Sequence, residues 1–358
     1  MRRFVLPLFV LVLAASARGE DWPQFLGPRR DGTSKETIAP WKEAPKVLWR
    51  ANVGEGHSSP VVANGLVFLH ARDAGDNAER LSIYDAVKGN LLASASHPRA
   101  DFKSPFGAGP RATPTIVGDR VYTYGVTGRL TAYQVIRGDK VELKELFSKE
   151  LLAEFKAKNL TFGVSASPLV EGDAVIVLVG GSGHGIVAFN RNTGDVMWKA
   201  LDDPASYSSP VVLGEGEKRQ IVALTQKGLA GLAPKDGAVL WQHPFQDRLN
   251  ESSTSPVMAG DLLIGSSVTL GSVALKPGES DGKPAAEPAW MRKELNCYFS
   301  TPVPAGKHLY LVSGVLALRP SITLRCVEIA TGKTLWSKPT VGKYHAALTR
   351  TADDKLLM

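Results

Sequence analysis

The chain has 358 residues, of which 44% are hydrophobic and 22% are charged, with 35 glycines and 23 prolines. This composition excludes an intrinsically disordered chain and predicts a packed protein with many turns, either two ordinary domains or one repeat array. The formal net charge of +7 is spread along the sequence without a block of basic residues. We therefore expect no nucleic-acid partner.

The first residues have the pattern of a secretory signal peptide. Arg2 and Arg3 precede an apolar run, and Ala15-Ser16-Ala17 forms a small-x-small cleavage site. A membrane anchor is the alternative, but the run is too short to span a bilayer comfortably, and no later stretch reaches membrane length. No Cys follows the run, so we expect no lipid attachment there. The sequence predicts a signal peptide over residues 1–17 and an exported mature chain, periplasmic or extracellular, without a transmembrane segment.

One short phrase recurs six times along the chain. It consists of a small or hydroxyl residue, Ser or Thr, Pro and, in most copies, an apolar pair. The six prolines, 42 to 54 residues apart, are Pro60, Pro114, Pro168, Pro210, Pro256 and Pro302. A degenerate seventh copy begins at His345. The residue before Pro is Ser or Thr in all six copies, which predicts a hydroxyl that supports the neighbouring backbone.

A second phrase, a Gly turn followed four residues later by Trp, closes the units. Five tryptophans are assigned to this structural docking position, namely Trp49, Trp198, Trp241, Trp290 and Trp336. Between the two phrases the sequence predicts four short strands in about 45 residues, which is the period of a β-propeller blade. A blade cannot bury both faces alone, so the indoles are expected to fill the contacts between neighbouring blades.

The sequence thus predicts an all-β propeller of four-stranded blades over residues 46–358, preceded by an N-terminal extension over residues 18–45. Trp49 fits an orphan final strand, and the last unit ends within a strand. We expect seven or eight blades in an intact protein of this kind, and an incomplete last blade here.

Three segments interrupt the regular pattern. Residues 97–110 predict a loop, residues 144–158 a short amphipathic helix with Phe147, Leu151 and Phe155 on one face, and residues 276–288 a solvated insertion. The glycine-rich residues 180–185 match neither a phosphate-binding nor a nucleophile motif and predict a turn between two strands.

The cysteines and histidines do not form a recognisable disulfide, haem or metal-binding pattern. Cys297 and Cys326 are predicted on the first and third strands of one blade, which disfavours a disulfide, and they form no metal or haem motif. His57, His184 and His345 fall in different units without a carboxylate at ligand spacing, so no metal site is expected.

Residues 188–198, which contain Asn190, Thr193-Gly194 and Trp198, resemble the tryptophan-docking motif of quinoprotein alcohol dehydrogenase-like propellers. Residues 326–336 match it less closely, and residues 21–28 are similar to the start of many bacterial secreted PQQ-like repeat proteins. The resemblance covers about residues 21–358 and identifies the fold more specifically than the activity.

This resemblance implies two kinds of relative. Quinoprotein dehydrogenases bind pyrroloquinoline quinone (PQQ) and Ca²⁺ in the central funnel and oxidise alcohols or sugars, whereas BamB-like members hold no cofactor and act as docking platforms in outer-membrane protein assembly. The chain lacks the adjacent cysteine pair of the dehydrogenases, and its six Ser/Thr-Pro phrases contain no acidic residue. We therefore assign no catalytic or cofactor-binding residue and expect no cofactor. The alternative is a PQQ-dependent dehydrogenase with calcium.

The most variable position of the repeat, three residues before each Pro, is the best candidate for binding. Its residues are His57, Arg111, Ser165, Tyr207, Ser253 and Phe299, with Tyr344 in the degenerate copy. We predict that they ring one end of the channel and bind a protein partner or a cell-envelope component; a merely solvated rim is the alternative.

Overall fold

The computed structural model describes residues 19–73, 75–314, 321–343 and 346–358. Within these residues, six antiparallel sheets of four strands and one pair of short strands make up the fold. Each large sheet is a meander, because strands that are consecutive in the chain are hydrogen-bonded neighbours. This is the architecture of propeller blades, so the predicted all-β propeller with an incomplete last unit is confirmed.

The strands follow the chain in order, four to a blade. They are β1 (Val61–Ala63), β2 (Leu66–Arg72), β3 (Ala78–Asp85), β4 (Leu91–Pro98), β5 (Thr115–Val117), β6 (Arg120–Tyr124), β7 (Arg129–Arg137), β8 (Val141–Glu150), β9 (Leu169–Glu171), β10 (Ala174–Leu178), β11 (Ile186–Asn190), β12 (Val196–Ala200), β13 (Val211–Leu213), β14 (Gln220–Leu224), β15 (Gly228–Leu232), β16 (Val239–Pro244), β17 (Val257–Ala259), β18 (Leu262–Ser267), β19 (Gly271–Ser280), β20 (Lys283–Arg292), β21 (Val303–Ala305), β22 (His308–Gly314), β23 (Ile322–Glu328) and β24 (Thr334–Gly342). After the sixth blade come β25 (Thr349–Arg350) and β26 (Leu356–Leu357). A one-turn helix, α1 (Leu151–Glu154), and a 3-10 turn at Gly216–Lys218 interrupt the strands.

The hydrophobic cores lie between consecutive blades. Between the third and fourth blades, for example, Ile176 and Ala188 belong to the same buried cluster as Ile221 and Leu232. Because neighbours cover both of its faces, β10 is buried along its whole length. Each blade therefore depends on the next for its burial, as expected for stacked repeats.

In four of the six copies, the hydroxyl residue before Pro joins one blade to the next. The hydroxyl oxygen of Thr113 accepts the backbone N–H of Ser59 at 3.1 Å, and that of Ser167 accepts the N–H of Thr113 at 3.0 Å. The same bond joins Ser167 to Ser209 at 2.9 Å and Ser255 to Thr301 at 3.0 Å. The recurring Ser or Thr therefore satisfies backbone donors that strand pairing does not reach.

The docking tryptophans pack on the glycine turn of the following blade. A Cβ atom at Gly237 would lie 2.5 Å from the Trp198 ring, and the indole N–H donates to the carbonyl of Pro234 at 3.1 Å. Trp290 makes the same contacts with Gly332 and with the carbonyl of Ile329. Glycine is required here by the positive φ and by the close approach of the ring.

Two tryptophans depart from this arrangement. Trp241 donates its indole N–H to Gln220 of its own blade, and its ring lies against Gly231 of that same blade. Trp336 is 46% exposed, in contrast to the other docking tryptophans of the blades. Trp49 precedes the first blade and packs on Gly89 of that blade, with its N–H on the carbonyl of Ala86.

The predicted helix over residues 144–158 is wrong. Residues up to Glu150 continue β8, and only α1 is helical. Phe147 lies opposite Ala132, the register position that Trp198 occupies opposite Ala188, and it packs against Gly194 of the next blade. In the second blade, a phenylalanine therefore takes the docking position.

The remaining irregular segments are strands or turns. Residues 276–288 extend the β19–β20 hairpin, and residues 180–185 link β10 to β11 as predicted. Cys326 lies on the third strand of the sixth blade, but Cys297 precedes the first strand, which corrects its placement; both are buried and free.

The N-terminal segment (residues 20–36) crosses the innermost strands of blades that are far apart in sequence. Trp22 forms a two-way backbone bridge with Val62, and the carbonyl of Pro23 accepts the N–H of Ile116. Further along, Ser34 donates its N–H to the carbonyl of Arg350 at 2.8 Å. The segment thus connects the first two blades to the strand pair that follows the sixth.

Candidate functional site

The candidate site is the predicted channel rim, by which we mean the end of the blades at which the first strand of each blade begins. The structure places His57 in an exposed position and leaves Arg111, Ser165, Tyr207 and Ser253 half-buried. Phe299 is 47% exposed. Tyr344 lies outside the described residues, so its predicted place in the ring has no structural account.

Arg111 and His57 are held by the loop over residues 99–110. The Arg111 guanidinium donates to the carbonyls of Gly109 at 2.8 Å and Gly107 at 2.9 Å, and it lies 5.6 Å from the centre of the Phe102 ring. A ring nitrogen of His57 lies 2.7 Å from the carbonyl of Phe106. Burial lowers the pKa of Arg111 from its usual value, yet a guanidinium remains charged at neutral pH. The result is a fixed positive charge at the rim.

Aromatic rings continue the rim beside this charge. The ring centres of Phe106 and Phe162 are 5.6 Å apart, and those of Phe162 and Tyr207 are 5.7 Å apart. The Tyr207 hydroxyl also accepts the N–H of Phe162 at 3.3 Å. Phe106 is 64% exposed, so this row of rings presents apolar surface to solvent.

A second aromatic pair lies in the segment that joins the fifth blade to the sixth. The ring centres of Tyr298 and Phe299 are 3.9 Å apart, and the backbone carbonyl of Tyr298 accepts the hydroxyl of Ser253. The Tyr298 hydroxyl donates to the carboxylate of Glu251, and burial together with this carboxylate raises the pKa of the phenol. Ser253 and Phe299 are therefore brought together through a residue that the repeat register did not single out.

Below the rim, the N-terminal segment lies against the innermost strands. Arg30 is 4% exposed and donates to the carbonyls of Pro168 at 2.9 Å and Ser167 at 3.2 Å, and to the amide oxygen of Gln24 at 3.1 Å. Burial lowers the pKa of Arg30 to about 9. The N-terminal segment thus places a buried cation against the start of the third blade.

A separate polar cluster lies inside the first blade, near the same end of the propeller. His70 on β2, Glu79 on β3 and His97 on β4 are each less than a tenth exposed, and their potential ligand atoms all lie within 4.8 Å of one another. Burial lowers the pKa of His70 to about 3 and of His97 to about 4, and raises the pKa of Glu79 to about 7.

Comparison with known proteins identifies the family. The family model described as outer membrane protein assembly factor BamB matches residues 32–148 and 77–338. The chain belongs to this BamB-type family of PQQ-like propellers. No curated protein sequence matches the chain.

Two solved structures show the same fold at low identity. BamB from Moraxella catarrhalis is 16% identical, with a TM-score of 0.57 and coverage of 84% of this chain and 80% of that one. The quinohemoprotein alcohol dehydrogenase ADHIIG from Pseudomonas putida HK5 is 11% identical, with a TM-score of 0.60 and coverage of 94% and 69%. Because both likenesses are remote, they establish the propeller and leave its activity open.

The repeat register did not single out the aromatic residues that lie next to the candidate residues. Phe102 and Phe106 lie in the segment 97–110, which the sequence predicted only as a loop, and Phe162 precedes the third repeat phrase. Aromatic residues in such a loop next to a repeat phrase were the available signal. Among the described residues, no helix is long and apolar enough to cross a membrane.

Proposed function

We propose that this chain is an exported, non-catalytic propeller that binds a protein partner of the cell envelope at its channel rim. Its membership of the BamB-type family supports a docking role and an association with the envelope. The N-terminal sequence pattern supports export. The rim residues that carry the proposal are Phe106, Arg111, Tyr207 and Phe299.

The chemistry of the rim is the observation on which the proposal rests. Protein interfaces are enriched in aromatic residues and arginine, and their affinity is concentrated in a few such side chains. Here Phe106 and Phe299 are 64% and 47% exposed, and Arg111 lies between buried and exposed with its charge fixed by backbone carbonyls. Rigid rings beside a fixed cation lose little conformational entropy on binding, which favours recognition of a protein surface.

The channel residues do not fit PQQ with calcium. Such a site requires carboxylate or carbonyl oxygens for Ca²⁺, a base, and flat surfaces that hold the quinone ring. Arg30 places a cation against the innermost strands, and its donors already engage the carbonyls of Ser167 and Pro168. Cys297 and Cys326 are free and lie 29 positions apart in the sequence, so they cannot form the adjacent pair that the resemblance implies. These features support the scaffold over the dehydrogenase.

Site-specific photo-crosslinking tests the rim. A benzophenone amino acid placed at Phe106 is expected to crosslink one envelope protein in intact cells, because its ring lies on the proposed contact surface. The matched control is Val117, which is 38% exposed and lies at the opposite end of the first strand of the second blade. Equal yields of the same product at both positions, or none at Phe106, would contradict the proposal.

The same product provides a quantitative test at a second rim position. Replacement of Phe299 by Ala is expected to weaken binding of the crosslinked partner by about tenfold or more, the effect of losing one interface anchor. Calorimetry with the purified partner would compare the Kd of the unchanged propeller with that of the Phe299→Ala variant. Reconstitution with PQQ and Ca²⁺ followed by dye-linked turnover on alcohols or sugars is expected to give no activity; cofactor-dependent turnover would favour the dehydrogenase.

A further inference from the structure

The first blade contains three ionisable side chains that its strand register brings together. Glu79 on β3 lies directly opposite His97 on β4, and His70 lies on the neighbouring β2. Their relative exposures are 0% for Glu79, 7% for His97 and 1% for His70. Polar side chains of this size are rarely buried together unless they bind one another or a ligand.

These side chains have no hydrogen-bond partners for the atoms that face one another. Both ring nitrogens of His70, both of His97 and one carboxylate oxygen of Glu79, Oε2, are buried and unpaired. Buried polar atoms are almost always satisfied, so a cluster of five unpaired atoms indicates that a ligand completes the site.

The arrangement of these atoms fits one metal ion. The potential ligand atoms lie within 4.8 Å of one another, and His70 Nε2 is 3.4 Å from Glu79 Oε2. Tetrahedral ligands at bonds of about 2.0–2.1 Å are about 3.4 Å apart, so the His70–Glu79 pair already has the required spacing. His97 supplies the third ligand atom within the same 4.8 Å, and its ring centre is 6.2 Å from that of His70.

We propose that His70, Glu79 and His97 bind a divalent transition-metal ion of the zinc class inside the first blade. Two imidazoles and one carboxylate are a donor set for zinc and its first-row neighbours, whereas Ca²⁺ takes six or more oxygen ligands. The three ligands come from β2, β3 and β4, so the ion ties together three strands of one blade. Water takes the fourth tetrahedral position.

The second blade shapes this site. The N–H of Val126 donates to Glu79 Oε1 at 3.1 Å, which fixes the carboxylate and leaves Oε2 directed at the histidines. Gly125 leaves room for the carboxylate, because a Cβ atom there would lie 2.4 Å from Oε2. Support of a ligand by a backbone hydrogen bond is typical of metal sites. The metal therefore also stabilises the junction between the first and second blades.

A proton shared between Glu79 and His70 is the competing explanation. It would use one nitrogen of His70 and leave both nitrogens of His97 unpaired, so it accounts for less of the cluster. The two explanations predict different metal contents. A metal site binds one ion per chain, whereas a shared proton leaves the protein without stoichiometric metal binding.

The first experiment uses the full chain, purified without a histidine tag and stripped with chelator. Titration with Zn²⁺ in a calorimeter is expected to show one ion bound per chain, and Co²⁺ is expected to give the visible absorption of a nitrogen- and oxygen-ligated site. Zn²⁺ at a hundredfold excess over its Kd should raise the Tm by about 3 °C or more. Absence of stoichiometric binding to the unchanged chain would by itself overturn the proposal.

The second experiment assigns the ligands. The variants Glu79→Gln and His97→Gln keep side-chain volume and are expected to lose at least about 100-fold in Zn²⁺ affinity, since loss of a supporting residue alone costs 10–100-fold. The matched control is His308→Gln, which removes an exposed histidine from the sixth blade and should leave affinity unchanged. Circular dichroism reports whether each variant folds. Unchanged binding in a folded Glu79 or His97 variant, or loss in the His308 variant, would contradict the assignment.

Discussion

Trp290 and Trp336 occupy the same register position in consecutive blades but have different surroundings. Trp290 is 7% exposed, packs on Gly332 of the sixth blade and donates to the carbonyl of Ile329. Trp336 is 46% exposed. The strand register is the same, opposite Ala274 in one blade and Cys326 in the other. The docking motif therefore specifies where the indole lies, and the next blade supplies its stabilisation.

The hydroxyl bonds show the same contrast at the other flank. Ser167 and Ser209 are buried, and their hydroxyls accept N–H groups from preceding blades. Ser59 and Pro60, at the start of the first blade, are exposed. The junctions between the third and fourth blades and between the fifth and sixth blades are thus closed by an indole and a hydroxyl. By contrast, Ser59 of the first blade and Trp336 of the sixth are exposed.

The largest expected effect comes from removing an indole at a closed junction. Trp290→Ala should lower the free energy of unfolding by about 3–5 kcal/mol, because it leaves a cavity between two blades. Trp336→Ala should cost about 1 kcal/mol, since nearly half of that side chain is already exposed. Urea unfolding followed by circular dichroism measures both. Equal losses would show that the two positions are equivalent and that the contrast in burial has no energetic meaning.

A smaller effect is expected from the glycine that receives an indole. Gly237→Ala combines a residue at φ +72 with a contact to Trp198 and should cost about 2–4 kcal/mol. Gly306→Ala, at φ +56 with open space around its Cβ, should cost only about 1–2 kcal/mol. Thermal unfolding of the two variants separates the cost of backbone strain from the cost of disturbing the indole contact. Identical Tm values would show that the indole contact adds nothing to the cost at Gly237.

The smallest expected effect is that of the hydroxyl bonds. Ser167→Ala leaves the buried N–H of Thr113 without an acceptor and should cost about 1–2 kcal/mol. Thr113→Val removes the acceptor of the exposed Ser59, whose N–H can bond to water, and should cost about 0.5 kcal/mol or less. Urea titrations measure both variants. A Thr113 variant less stable than the Ser167 variant would contradict the larger cost assigned to the buried N–H.

The repeats predicted the blades because their spacing carries the information directly. The helix over residues 144–158 failed for a physical reason: Phe147, Leu151 and Phe155 are four residues apart, and a spacing of four is compatible with both the helical period and the two-residue period of a strand. Register in the structure shows that Phe147 is the docking residue of its blade. Because this blade has Phe instead of Trp at the docking position, the second phrase of the repeat was not recognised there.

The buried cluster could not be predicted from spacing. His70, Glu79 and His97 are separated along the chain, and only the pairing of β2, β3 and β4 brings them to one place. The sequence search for ligands considered His57, His184 and His345, which the repeat made conspicuous. Position relative to Pro predicts which end of a blade a residue occupies, whereas the aromatic residues of the 99–110 loop follow no register. The binding role of the residues three before each Pro stays a prediction.

The N-terminal segment has a consequence for how the chain reaches its native state. A row of stacked repeats can form from neighbour to neighbour, since each unit needs only the adjacent one. Here, Lys355 donates to the carbonyl of Ile38 across a sequence separation of 317 residues, and Thr33 pairs with Arg350. These contacts can form only after the late units have been assembled. The N-terminal segment is synthesised first but can dock only after the last units have folded. Once docked, it makes the stability of one end of the array depend on that of the other.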